Sequence, residues 1–435
     1  MAVFQIIRFM FRQLYKLAVA MKKAGIVFIP TSQRQRVKKY LLNKAVPNKR
    51  VDTNNQLSRL TQDTFGINLI GYARAEMGIG ESCRIAANCL STTTVPYGII
   101  NYDGTNSARM NDLSWKHMEM KEPKYYFNIF HINAEQMVDI YAQYSDSLFR
   151  NHYNIGYWHW ELPDFPDEWI GSFSFVDEIW VPSTFIANAI SIKSPVPVMT
   201  IPHGVEVKSI GKQDRISFGL PNEAFLFLTM YDVKSYQERK NPQAVIESFK
   251  LAFHPDDLSV GLVIKVNTTK KNISELNDLQ KSIESYSNIY LIQETVSREE
   301  TNALLAITDS YISLHRSEGF GLGLAEAMYL GKPVIGTNWS SNTDFMKHNN
   351  SCLVDYHLVR LNKDIGPYKA FQYWAEPDIK HAAQYMKRLV LDKEYRKSIA
   401  QNGQETIRSE FSPQVTGQRI QKRLEQLTIH LGGLK

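Results

Sequence analysis

The sequence predicts an α/β protein of two parallel-sheet domains that face each other across a cleft, and three observations predict it. Beyond residue 62, short β-branched or aromatic runs alternate with stretches of helical periodicity, as expected for parallel sheets with crossover helices. Pro195, Pro197 and Pro202-His203-Gly204 punctuate the middle of the chain and place a hinge near residues 202–220. Glycine-rich turns follow strands in both halves, where open α/β sheets take their ligands. A chain of 435 residues accommodates two to three domains.

The first sheet is expected from Ile67–Tyr72, Tyr97–Tyr102, Tyr126–Ile132, Tyr153–Trp158, Glu178–Val181 and Val198–Ile201. The second is expected from Phe225–Tyr231, Val260–Lys265, Ile289–Ile292, Ser310–Ser313 and Pro333–Gly336. Helical patterns fall between the strands of the second set, at Asn241–Phe253, Glu275–Tyr286, Arg298–Ile307 and Leu322–Leu330. They also close the chain after Asp378, the last starting at Pro413. The reading divides the chain into a basic segment and linker (1–62), a first Rossmann-like domain (63–205), a second (206–410) and a terminal helix (411–435). No internal repeat interrupts this order.

Charge is distributed unevenly. Twelve of the 50 Lys and Arg lie in residues 1–50, which hold no Asp or Glu, leaving 38 cations against 44 acids in the rest. The body therefore has no basic excess of the kind that nucleic-acid binding needs. Arg8, Arg12 and Lys16 step by four among Phe4, Ile6, Ile7, Phe9, Met10 and Phe11, which suits a helix over residues 1–25 lying in a membrane interface. Packing of that helix on the protein's own body is the alternative, and no run is long enough to span a bilayer. Three cysteines, Cys83, Cys89 and Cys352, make no disulfide framework or zinc spacing and fit a reducing, cytoplasmic setting. No secretory signal is evident.

The strongest motif is Ser317-Glu318-Gly319-Phe320-Gly321-Leu322-Gly323-Leu324-Ala325-Glu326, after the Ser310–Ser313 strand. Its glycines let the backbone approach a ligand, and the helix opening near Leu322 aims free N–H groups at it. Glu318 and Glu326 stand eight apart, where two carboxylates can accept paired hydrogen bonds from a sugar and a ribose. Gly78-Ile79-Gly80-Glu81 opens a helix after the first strand, and the flanking Arg74 and Arg84 read equally as cations for an anionic ligand and as surface charges. His131, Trp158-His159-Trp160-Glu161 and the aromatic set Tyr157, Trp158, Trp160 and Trp169 follow strands of the first sheet. The histidines read equally as packed core, the aromatic set more often as core than as a stacking surface, and only His131, His159 and Glu161 are assigned to the site. No Asp-x-Asp motif is present, so no metal or other cofactor is expected.

Glu318 to Glu326 with its Gly-Phe-Gly turn resembles the E-x7-E signature of retaining glycosyltransferases of family 4, which have the GT-B fold. The likeness continues through Ala327-Met328 and Gly331-Lys332-Pro333-Val334-Ile335. Pro202-His203-Gly204-Val205-Glu206 resembles that family's interdomain Pro-His-Gly-Val-Asp, and Gly78-Ile79-Gly80-Glu81 its N-terminal donor loop. Trp160-Glu161-Leu162-Pro163 and Trp374-Ala375-Glu376-Pro377 resemble a bacterial polysaccharide-assembly subgroup.

The resemblance implies that Glu318 contacts the transferred sugar, that Gly319, Phe320 and Gly321 offer backbone amides, and that Glu326 holds the nucleotide's ribose. Lys240 matches the lysine that neutralises the leaving diphosphate. The usual Gly-Arg pair is replaced by Met230-Tyr231-Asp232, which leaves Arg239 to supply the second cation. Gly78 and Gly80 belong to the donor side, and His159 with Glu318, Lys240 and Arg239 to catalysis. His131 and Glu161 belong to the acceptor side. The expected partners are a nucleotide-sugar donor, a lipid-linked or oligosaccharide acceptor and the inner face of the cell membrane. A nucleotide-sugar epimerase or phosphorylase of the same fold, or a non-catalytic nucleotide-sugar-binding subunit, are the alternatives.

Overall fold

A computed structural model of the chain describes residues 60–104, 108–208, 210–267, 273–294 and 296–432, together with Met10, Gln13, Leu14 and Leu17. Those four positions are helical and exposed; the rest of the expected N-terminal helix and the linker up to residue 59 lie outside the described residues. Among the described residues no helix is long and apolar enough to cross a membrane.

The first sheet runs β2-β1-β3-β4-β5-β6, with β1 Ile67–Gly71, β2 Tyr97–Asn101, β3 Phe127–His131, β4 Tyr153–Tyr157, β5 Glu178–Val181 and β6 Val198–Thr200. The second runs β12-β11-β10-β7-β8-β9, with β7 Phe225–Asp232, β8 Val260–Asn267, β9 Ile289–Ile292, β10 Ser310–Ser313, β11 Val334–Thr337 and β12 Cys352–Val354. Both sheets are parallel throughout. Helices cover both faces, which is why β1 (Ile-Asn-Leu-Ile-Gly) is buried along its whole length rather than alternating.

The buried polar residue of β1 is one rung of a ladder. Asn68, Asn128 and Asn154 stand opposite one another in register, and each amide donates to the next: Asn68 Nδ2 to Asn128 Oδ1 at 2.8 Å, Asn128 Nδ2 to Asn154 Oδ1 at 2.9 Å. A one-residue slip of any of these strands would bury an unpaired amide, so the ladder fixes register as well as satisfying the groups.

Besides the linker after β6, two described segments carry core packing from one domain into the other. The terminal helix Pro413–His430 returns to the first domain, placing Ile420, Leu424 and Leu427 in its core against the Gly78–Ser91 helix. Gly204 makes that approach possible, since a Cβ there would lie 2.4 Å from Cys89 Sγ and 2.8 Å from Pro413 Cα. The second segment is an antiparallel hairpin, β13 Tyr356–Arg360 and β14 Tyr373–Pro377, which leaves the second domain and packs Leu361, Tyr368 and Trp374 into the hydrophobic core of the first. The sequence reading contains neither this hairpin nor the three-residue β12. Trp374-Ala375-Glu376-Pro377, noted only as a motif, is β14 itself.

Candidate active site

Each sheet reverses its strand order once: β1 runs outward to β2 and β3 the other way, and β7 runs to β8 while β10 runs to β11. Loops that leave the carboxyl ends on either side of such a reversal separate and leave a crevice. In the second domain those are the loops after β7, which carries Arg239 and Lys240, and after β10, which carries Glu318. Residues 78 apart in sequence thus meet.

Lys240 Nζ lies 2.5 Å from Glu318 Oε1, and Arg239 Nη1 lies 3.4 Å from Glu318 Oε2 while donating to Ser317 O at 2.8 Å. The two cations sit on the single helical turn Gln237–Lys240, bounded by Tyr236 at φ 61° and Asn241 at φ 52°. Left-handed backbone at two non-glycine residues is strained, and the surrounding contacts hold it. One of them is Gly366 of the hairpin, where a Cβ would fall 2.2 Å from the Tyr236 ring. Burial opposes ionisation of Glu318, but Lys240, Arg239 and His315 outweigh it and pull the carboxyl down to about 2. Burial lowers Lys240 from the ordinary lysine range despite the pull of Glu318. Arg239, 5% exposed, has a buried Nε with no partner.

Gly321, at φ 91°, caps the Leu322–Tyr329 helix, whose first amides have no acceptor within it. Phe320 turns its side chain away, edge-on to His203 and against Phe345, so the Gly319–Gly321 backbone is what the turn presents. Glu326, on the same helix, is 3% exposed and accepts from Arg298. Burial raises its carboxyl pKa and Arg298 opposes the rise.

The first domain supplies the opposing wall. Glu161 reaches the same turn: its backbone oxygen accepts from Ser317 Oγ, and its Cγ lies 3.7 Å from where a Gly319 Cβ would stand. Tyr368 of the hairpin donates to Glu161 Oε2 at 3.2 Å. His159 stands elsewhere on this wall, in a buried chain of rings with His131, Tyr157 and His203. Tyr157 Oη donates to Ile201 O at 2.8 Å, so it accepts from His203 Nδ1 at 3.3 Å. His203 Nε2 then accepts from His159 Nε2 at 3.1 Å, which leaves His159 Nδ1 as a buried lone pair without a partner. Burial holds His159 at about 4, and burial with the neighbouring histidines lowers His131 and His203, so the rings are neutral.

Gly78 begins its helix in open space, whereas a Cβ at Gly80 would meet Ala75 O at 2.2 Å, so the second glycine is required by packing of the loop. His131 is engaged by Ser82 Oγ at 2.9 Å and does not meet Glu161 in the structure. The expected free cations are already employed: Arg74 pairs with Glu119, and Arg84 with Glu81, Asp112 and two backbone oxygens. Tyr157, Trp158 and Trp160 are buried core, not an open stacking surface. Sequence reasoning missed Tyr368, Arg298 and His203 as site neighbours. His203 was legible in Pro-His-Gly, while Tyr368 and Arg298 carry no local signal.

Residues 215–406 match the family described as Glycosyl transferases group 1. No curated protein sequence matches the chain. Among solved structures, the chain is similar to Anabaena Alr3699/HepE in complex with UDP and glucose, at 13% identity over 83% of this chain and all of that one, TM-score 0.59. It is similar to sucrose-phosphate synthase from Thermosynechococcus elongatus, at 13% identity over 84% of this chain and all of that one, TM-score 0.61. It is also similar to a glycosyltransferase from Rickettsia africae ESF-5, at 14% identity over 84% and 99% of the two chains, TM-score 0.60. The architecture is the GT-B fold, and the second domain carries the glycosyltransferase group 1 pattern.

Proposed function

We propose that this chain is a retaining glycosyltransferase of the family-4 type, which moves a sugar from a nucleotide-sugar donor to a saccharide acceptor. The observation that carries the reading is the convergence of Lys240, Arg239 and Glu318 beside the open N-terminus of the Leu322–Tyr329 helix. Cleavage of the sugar–phosphate bond leaves negative charge on the diphosphate and makes the sugar oxocarbenium-like. Buried Arg239, half-buried Lys240 and a helix N-terminus are the groups that stabilise the former. Glu318, ionised across the physiological range, orients the sugar through its hydroxyls. The leaving phosphate oxygen takes the acceptor's proton as the new bond forms on the same face, and no metal is needed for charge that the protein's own cations neutralise. Glu326 accepts from the ribose hydroxyls, the Gly319–Gly321 amides and the Gly78–Gly80 loop border the donor, and His159 Nδ1 accepts from a sugar hydroxyl. Glu161 stands on the acceptor side, and His131, stacked on Tyr157 and held by Ser82, supports that wall.

The basic N-terminal residues favour a lipid-linked acceptor at the inner membrane face, as in assembly of a bacterial surface polysaccharide. A chain held at a bilayer meets such an acceptor at high effective concentration. Nucleotide binding tests the site. Glu326→Gln is expected to weaken binding of the preferred nucleoside diphosphate by about tenfold, the loss of charge-assisted hydrogen bonds to a diol. Unchanged affinity in calorimetric titration would contradict the assignment.

A further inference from the structure

We propose that Arg298 is a counter-ion that the donor's ribose displaces, so that this side chain sets how tightly, and how selectively for a ribose diol, the nucleotide is held. The inference rests on the reading of Glu326 given above and adds to it a residue that nothing in the sequence marked.

Arg298 is the first residue of the Arg298–Ile307 helix, whose start is fixed by a reciprocal capping box between Ser297 and Glu300. A cation in the first turn works against the helix dipole, so helix stability does not explain it. Its guanidinium instead reaches Glu326 Oε1 and lies 3.8 Å from Glu81 Oε1, on the glycine-loop helix of the opposite domain. The other Glu81 oxygen is taken by Arg84 at 2.6 Å. Arg298 therefore bridges the two walls of the cleft at the place where a nucleotide would lie between the Gly78–Glu81 loop and the Leu322–Tyr329 helix.

Vicinal hydroxyls bind a carboxylate best through both of its oxygens. The guanidinium occupies one of them, so diol and arginine compete for Glu326. The asymmetry of exposure makes exchange feasible: the Arg298 side chain is 44% exposed, while that of Glu326 is 4% exposed. Arg298 can turn to solvent and to Glu81; Glu326 cannot move. A buried carboxylate also cannot stand alone without cost. In the free protein Arg298 compensates it, and in the complex the diol does. Removing the arginine raises the free energy of the unliganded state alone, and affinity for the ribonucleotide rises.

The experiment is calorimetric titration at one fixed pH with UDP, GDP and ADP and then the 2′-deoxy form of whichever binds. Arg298→Gln is expected to bind the ribonucleotide about three- to tenfold tighter. The deoxynucleotide should change little, so the ribo-to-deoxy ratio widens, and Arg298→Lys should restore wild-type values by restoring the ion pair. Equal or weaker ribonucleotide binding by Arg298→Gln overturns the proposal, as does a parallel change for both nucleotides, which is what a merely structural role would give. Glu326→Gln measured alongside tests the donor site itself. If it leaves the ribo-to-deoxy ratio at the wild-type value, or if no nucleotide binds either protein, the donor-site reading itself fails.

Discussion

Glu318→Gln is expected to lower donor turnover by a hundredfold or more, on the order of what removing one preorganised electrostatic group costs. Glutamine keeps the shape and one acceptor for Lys240, so the loss comes from the charge. Without it, buried Arg239 and half-buried Lys240 lose the carboxylate that both contact, and their fixed geometry relaxes. The wild-type carboxyl sits at about 2, below its ordinary 4.5. Its contribution to stability is thus present above pH 4.5 and fades only as pH falls towards 2. From pH 5 to 9 the rate should show no titration of Glu318. Nucleotide release measured in parallel with thermal denaturation checks this, and turnover within threefold of wild type in a folded variant would contradict it.

Arg423→Met is expected to destabilise the protein by about 3–5 kcal/mol, the cost of stranding one member of a buried ion pair. Glu178, fully buried in β5, accepts from Arg423 Nε at 2.9 Å and Nη2 at 2.6 Å, and from Trp180 Nε1 at 2.7 Å. Arg423 is on the terminal helix, 245 residues away, so the pair fastens the end of the chain to the first domain. Adding Glu178→Leu to Arg423→Met should recover much of the loss, because the apolar pair has no charge to desolvate. Urea denaturation reads both variants; a single-variant loss below about 1 kcal/mol would place the pair in exchange with solvent.

Much of the fold was legible because parallel strands buried on both faces write themselves as short apolar runs. Ile129-Phe130 and Leu262-Val263-Ile264 have no other stable use between helical stretches. Glu318 and Glu326 were legible for a related reason, since a strand, a glycine turn and a helix are contiguous in sequence and need no tertiary information to be placed. The hairpin was not. His357, Arg360 and Tyr373 are exposed, and the loop between β13 and β14 mixes Leu361, Ile365, Tyr368 and Phe371 with polar residues and no strand alternation, so its pattern does not show that Tyr368 is buried in the other domain against Trp160. The meaning of Arg298 was hidden in the same way: Ser-Arg-Glu-Glu reads as an ordinary capped helix start, and only the packing of two domains brings it to Glu326 and Glu81. For Arg74 and Arg84 the sequence left ligand contact and surface placement open, since cations beside a glycine loop suit either until their acidic partners are seen.

The central claim is that the Lys240–Arg239–Glu318 constellation breaks a nucleotide–sugar bond with retention. The most direct measurement follows UDP-, GDP- and ADP-sugars by NMR with water as the only acceptor. Slow release of nucleotide from one donor is expected, with the sugar first appearing in the donor's own anomeric configuration, and release by Glu318→Gln lower by a hundredfold or more. First appearance of the opposite anomer, or equal release by the variant, would contradict it.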